Sequence, residues 1–281
     1  MLDWIATATG ARAARRIERL QTLWSGYGEI LRVELDGGIA PTAIVKSVRP
    51  PARTTGTVSD RRKRRSYDVE TAFYRELASR CDDSCRVARL YASRITEGGW
   101  LLVLEDLAAA GYADRRDDAN GAALDACLRW LASFHARFLG EPCDHLGTYW
   151  HLATRMDELD AIADPALRAA APVLDAQLSA ARFQTILHGD PKEANFCFTR
   201  DGRAVAAVDF QYTGRGCAMK DVAYLLHGRA DPAGAHLDTY FRHLRTVVTR
   251  DATEIEAEGR ALYPIAVRDL QRFLAGWRPA R

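Results

Sequence analysis

The sequence predicts an α+β protein of two lobes, a small N-terminal antiparallel sheet with one helix and a larger, mostly helical C-terminal part. Three observations carry this. Short runs of strand-like apolar alternation fill the first hundred residues, interrupted by one stretch of helical spacing. Beyond the segment around 105–111 the spacing becomes that of long helices. A chain of 281 residues is also longer than one minimal core needs and shorter than three ordinary domains. The expected division is 1–106 and 107–281.

Taken in order, residues 11–24 read as a basic amphipathic helix with Ile17, Leu20 and Trp24 on one side. "GYGEILRVEL" and "TAIVKSV" then read as an antiparallel hairpin turning near 36–38. Val69, Phe73 and Leu77 recur at helical spacing, so a helix is expected over 66–80 with Ser66 as its N-cap. "RVARLYASRI" and "GWLLVLEDL" are two more strands around a turn at 97–99, for a sheet of about five strands. Helical patterns follow over about 120–140, 152–181 and 217–276.

Composition excludes several classes. Apolar residues make up 48% and charged residues 27%, the balance of a globular protein rather than a disordered one. A net charge of +2 gives no field that would favour nucleic acid as a partner. No stretch approaches the roughly 18 uncharged apolar residues of a spanning helix. The N-terminus shows no basic segment followed by an apolar one, so no membrane partner and a cytoplasmic location are expected. Cysteines at 81, 85, 127, 143, 197 and 217 lack metal-ligand spacing and read as free, buried thiols. The basic run at 61–65 reads as a solvated loop ahead of the helix; the alternative is an anion site near bound nucleotide or an acidic substrate.

Chemistry concentrates in "LHGDPKEANFCF", 187–198, followed by "TRDGRAVAAVDFQ". Asp201-Gly202 is a hairpin turn signal between two apolar runs. Such a hairpin sets Phe198 opposite Val205, Phe196 opposite Ala207 and Asn195 opposite Val208. Asn195 and Asp209 then meet at its open end, with Asp190 in the loop leading into it. Two carboxylates and an amide oxygen form a hard-oxygen site suited to Mg²⁺, which keeps waters and completes its shell with phosphate. The order His188-Gly189-Asp190, Asn195, Asp209-Phe210-Gln211 matches the spacing of a phosphoryl-transfer site. The other parts of such a site lie upstream. Lys46 sits on a strand, Glu70 follows in the inserted helix to orient it, and Gly26 and Gly28 form a shortened phosphate-covering loop. Glu105 and Leu107 would offer backbone groups to adenine. Gly26 and Gly28 read equally well as an ordinary turn. His188 is expected to be structural, and His135 a core or interlobe histidine.

"HGDPKEANF", "VDFQ" and "KDVAYLL", together with "VETAFYREL" and "LVLEDL", resemble the aminoglycoside phosphotransferase and choline kinase superfamily over about 24–228. Within it they resemble most the ecdysteroid-kinase-like branch. The resemblance implies a protein-kinase-like bilobal fold and ATP- and Mg²⁺-dependent phosphorylation of a small-molecule hydroxyl. It implies that Asp190 is the base, Asn195 and Asp209 are metal ligands, Lys46 is the phosphate-binding lysine and Glu70 its partner. Asp221 would brace the catalytic loop. Two departures stand out: the glycine loop lacks a third glycine, and Lys192 lies two residues after the base, where it would reach the γ-phosphate. The alternatives are an aminoglycoside-type resistance phosphotransferase and a silent pseudokinase. Trp150, Tyr240 and Trp277 are core residues or walls of the acceptor pocket.

Overall fold

The computed structural model describes residues 1–51, 56–231 and 234–277. Five strands, β1 (Ala13–Thr22), β2 (Gly28–Asp36), β3 (Thr42–Val48), β4 (Leu90–Thr96) and β5 (Gly99–Glu105), form one antiparallel sheet in the order β1-β2-β3-β5-β4. Leu31, Val33, Leu35, Val45 and Val103 alternate onto one face, where they pack with Ile5 of the short helix α1 (Leu2–Thr9).

The expected helix at 11–24 is strand β1. Its apolar triplet is no buried stripe: Ile17, Leu20 and Trp24 are all exposed. What fixes β1 is its neighbour. Arg15 lies directly opposite Glu34 and ion-pairs with it, and Glu18 lies opposite Arg32 and pairs likewise. Arg12 and Asp36 add a third pair at the strand end. Cross-strand charge pairs of this kind favour a sheet where a polar helix would have nothing to bury against.

The second helix also differs from expectation. α2 spans Val58–Glu76 and takes in the basic run, with Thr57 as N-cap accepting a hydrogen bond from the Asp60 amide at 3.0 Å. Lys and Arg are good helix formers, so the run extends the helix rather than preceding it. Ser66 is a buried interior residue, its hydroxyl 2.8 Å from the Lys63 carbonyl and 3.0 Å from Gln211 Oε1.

The larger lobe comprises α3 (Ala122–Arg137), α4 (Met156–Leu159), α5 (Pro165–Ser179), α6 (Met219–Leu225), α7 (Ala235–Val247) and α8 (Ala252–Gly276). Two small strand pairs carry the motif region. β6 (Gln184–Leu187) pairs with β9 (Gly214–Cys217), and β7 (Phe196–Phe198) with β8 (Val205–Ala207). The β7–β8 register is the expected one, Phe196 opposite Ala207 and Phe198 opposite Val205. The turn is wider than two residues, with Thr199 N–H bonded to the Ala204 carbonyl and Gly202 N–H to the Thr199 carbonyl.

One aromatic core joins the lobes. Phe210 stacks on Phe73 of α2 with centroids 3.8 Å apart, and reaches Phe134 and Trp130 of α3 at 6.1 and 6.3 Å. All six cysteines are free, four of them buried. Among the described residues no helix is long and apolar enough to cross a membrane.

Candidate active site

Fully buried β6 delivers the chain to a loop that is clamped from two sides. The Asp221 carboxylate, in the first turn of α6, accepts the His188 and Gly189 amides at 2.7 and 3.0 Å. His135 Nε2 lies 3.2 Å from the same carboxylate, and its Nδ1 is 2.9 Å from the Tyr240 hydroxyl. His188 Nε2 donates to the Val208 carbonyl at 3.0 Å, leaving Nδ1 to accept from the Asp190 amide at 3.3 Å. This arrangement requires a neutral ring, and burial lowers the His188 pKa accordingly. Gly189 has φ +87, and a Cβ there would meet the Tyr212 carbonyl oxygen at 2.0 Å. Only glycine fits.

Beyond the clamp, three predicted residues come together. Asp190 Oδ2 accepts from Lys192 Nζ at 2.9 Å and from Asn195 Nδ2 at 3.0 Å, and Asn195 Nδ2 also reaches the Asp190 carbonyl at 2.8 Å. Asp190 Oδ1 is buried without a close hydrogen bond among the described residues; the Tyr224 hydroxyl, which accepts from Tyr149, lies beside the carboxylate and is the donor that can turn toward it. Burial raises the Asp190 pKa, and Lys192 offsets this only in part.

A second cluster joins the two lobes. Lys46 on β3 lies 2.7 Å from one Glu70 oxygen and 2.9 Å from the other, the latter with hydrogen-bond geometry, and 3.0 Å from Asp209 Oδ1. One ammonium thus serves two carboxylates. Burial pushes Glu70 up to about 7, with Lys46 pulling back part of the shift. At Asp209 burial acts the same way, but Lys46 more than offsets it and holds the carboxyl below its usual range. Lys46 itself is raised: burial lowers it, and the two carboxylates outweigh that. Asp209 sits at φ +68, a left-handed conformation that Asp tolerates better than most residues and that recurs at functional sites. Among the described residues no hydrogen bond joins the two clusters directly; the backbone bond from Val208 N–H to the Asn195 carbonyl, 2.9 Å, holds their strands together.

The donor set fits a cation that arrives with phosphate. Asn195 Nδ2 is committed to Asp190, which turns the amide oxygen away from it, and neither Asn195 Oδ1 nor Asp209 Oδ2 has a partner among the described residues. Those residues contain no group of three or more His, Cys, Asp or Glu able to hold a metal unaided. One amide and one carboxylate would leave most of a magnesium shell to phosphate and water.

The remaining predicted residues lie apart from both clusters. Because β1 is a strand, Gly26 and Gly28 fall in the β1–β2 turn, where Leu23 N–H bonds to the Gly28 carbonyl at 2.8 Å. Gly28 is needed for strand approach, since a Cβ would meet the Ser47 carbonyl oxygen at 2.0 Å, whereas Gly26 faces open space. The turn is anchored to α2 by Tyr27 Oη donating to Asp60 at 2.6 Å and Lys63 Nζ to Ser25 Oγ at 2.8 Å. Glu105 ends β5, its side chain bonded to Arg86 through both oxygens at 2.6 Å. The Leu107 carbonyl accepts from Tyr112 N–H, while Leu107 N–H has no acceptor among the described residues.

Sequence reasoning passed over Asp106, which sets this connection by accepting from Arg32 Nε at 2.7 Å, Thr42 Oγ1 at 3.1 Å and the Ala108 amide at 3.2 Å. An acid directly after a buried strand was the available signal. Tyr149 and Tyr224, with hydroxyls 3.2 Å apart, were also missed because no motif marks them. Trp150 and Tyr240 are buried core residues, and Trp277 is exposed.

These features define a protein-kinase-like bilobal fold with two polar clusters where the sheet lobe meets the helical lobe. Residues 23–259 match the phosphotransferase enzyme family, and the chain belongs to it. No curated protein matches the chain. Among solved structures it is similar to an aminoglycoside-3'-phosphotransferase of type VIII, at 18% identity over 92% of this chain and 93% of that one, TM-score 0.53. An ethanolamine kinase from Plasmodium vivax gives 13% identity, 95% and 78% coverage and TM-score 0.55. A choline kinase from Streptococcus pneumoniae gives 11% identity, 93% and 92% coverage and TM-score 0.50. At such identities the likeness concerns the fold.

Proposed function

We propose that the protein is an ATP- and magnesium-dependent kinase that transfers the γ-phosphoryl group to a hydroxyl of a small molecule. The observation that carries this reading is Asp190. It is a buried carboxylate with one oxygen held by Lys192 and Asn195 and the other without a close hydrogen bond among the described residues, next to the Tyr224 hydroxyl and within electrostatic reach of Asp209 in the Lys46 cluster. In this reading Asp190 Oδ1 receives the acceptor hydroxyl, aligns its oxygen with the γ-phosphorus and takes its proton, which its raised pKa favours. Lys46, oriented by Glu70, holds donor phosphates, and Lys192 swings from Asp190 toward the γ-phosphate. Asn195 and Asp209 oxygens would hold magnesium, which supplies positive charge against the phosphate oxygens. Leu107 N–H is the free group for adenine, and Gly26 and Gly28 place the β1–β2 turn over the phosphates. Most of the acceleration comes from positioning and charge. The motif combination "HGDPKEANF" with "VDFQ" favours the ecdysteroid-kinase-like branch, and ATP as donor favours a cytoplasmic location.

Thermal unfolding of the wild type and Asp209→Asn, with and without Mg-ATP, tests the nucleotide half. Ligand at 100 times Kd should stabilise the wild type by about 2.7 kcal/mol. The reading requires that shift and its loss in the variant. No shift in a folded wild type would refute it.

A further inference from the structure

A cavity of about 300 Å³ opens between α2, the segment 145–155 and the residues just after Asp209. Arg61, Arg62, Arg65 and Arg155 line it, and among the described residues no Asp or Glu does. Two of the four cations are matched from outside the lining: Arg62 pairs with Asp157, and Arg155 with Glu158 at 3.1 Å. Among the described residues the Arg61 side chain donates only to the Gly56 carbonyl, at 2.6 Å, and Arg65 has no partner. Arg61 and Arg65 are one helical turn apart, so their like charges oppose α2 unless an anion lies between them. Guanidinium groups suit phosphate or carboxylate, which they hold through paired hydrogen bonds.

The cavity also borders the reacting loop. Tyr149 and Tyr212 line it, with ring centroids 5.4 Å apart. The Tyr149 amide bonds to the Gly189 carbonyl at 3.3 Å, and the Tyr212 carbonyl presses on Gly189, the residue before Asp190. An acceptor lying along these tyrosines would have one end at Asp190 and the other among the arginines.

Building on the kinase reading, we propose that the acceptor is an anionic hydroxyl compound whose phosphate or carboxylate is held by Arg61 and Arg65 against Arg155. In the transfer the acceptor oxygen bonds to the γ-phosphorus, the bond from that phosphorus to the β,γ-bridging oxygen breaks, the hydroxyl proton passes to Asp190 and ADP leaves. The same charge repels amine-bearing acceptors.

Calorimetric titration of inorganic phosphate, and separately of malonate, tests the site in wild type saturated with Mg–AMP-PNP, which occupies the Lys46 cluster. The exposed double variant Arg61→Ala/Arg65→Ala should fold with a midpoint no lower than that of the wild type, since it loses a like-charge pair on α2, and bind the anion at least tenfold more weakly. The arm with the lower Kd tells phosphate from carboxylate. Lys46→Met, titrated without nucleotide, separates the two readings. Loss of AMP-PNP binding by wild type would sink the kinase reading, while the anion site would still be read in this variant. Turnover of glycerol 3-phosphate against glycerol, and of kanamycin and choline, completes the test. Preference for the anionic compound, with KM raised at least tenfold and kcat little changed in the double variant, is the expected result. Equal anion affinity in the double variant, or faster turnover of the amines, would overturn the proposal.

Discussion

Asp190 leaves one oxygen unsatisfied inside the protein, a state that costs about 1–3 kcal/mol and is tolerated where a substrate completes it. Asp190→Asn keeps the shape and removes the proton acceptor of the proposed transfer. Its turnover should fall by about 10² to 10⁴-fold while Mg-ATP affinity, measured by calorimetry, stays within twofold. His151 makes a separate prediction about pH. Burial first, and then Lys220, lower its pKa to about 4, and its Nδ1 accepts from the Ala153 amide at 3.2 Å. The unfolded chain takes up a proton as pH falls through about 6.5, whereas the folded chain resists until about 4. Stability is therefore complete above pH 6.5 and declines toward pH 4, by about 3 kcal/mol from this residue. In urea unfolding at several pH values, His151→Asn should show a shallower decline across that window; an identical slope would remove the assignment.

At the scale of elements, the β2–β3 pairing that carries Lys46 depends on Gly28. Gly28→Ala would drive a methyl into the Ser47 carbonyl, next to Lys46 in sequence. We expect a stability loss of about 1–3 kcal/mol and weakened Mg-ATP binding, read by chemical denaturation and calorimetry. Which elements were legible in the sequence follows from where their determinants lie. The hairpins β2–β3 and β7–β8 were readable because alternation and turn residues are local, and the β7–β8 register came out as expected. Lys46, Glu70, Asp190, Asn195 and Asp209 were picked out by spacing and Lys192 by the family resemblance, and the structure draws them into two hydrogen-bonded clusters. β1 was unreadable from its own residues, because its apolar spacing is helical and its determinants are the opposite charges on β2. The acceptor-side cavity was hidden for a related reason: its arginines come from one helix and one loop that only the fold brings together.

For the whole molecule, Phe210 ties the lobes by stacking on Phe73 of the helix that carries Glu70, one residue after Asp209. Position of the Lys46 partners is thereby coupled to the core. Phe73→Ala should cost about 3–5 kcal/mol, as large aromatic deletions do. It should also weaken Mg-ATP binding about tenfold or more, because α2 loses its seat. Phe241→Ala, in the same core but on α7, should lose stability with nucleotide affinity intact. Equal affinity in both variants would dissociate packing from the site. The exposed strand β1 has a different consequence for the molecule in solution. Its outer edge offers a row of unsatisfied amides and carbonyls, on which a second sheet could grow. Arg15, Arg16 and Arg19 against a single Glu18, together with two breaks in register, make a like strand an unwelcome neighbour. The electrostatic part of that protection thins as the Debye length contracts from about 10 Å at 0.1 M salt to about 3 Å at 1 M. Concentrated salt therefore lowers the barrier that keeps one molecule's sheet from continuing into the next, and leaves the two register breaks to hold it.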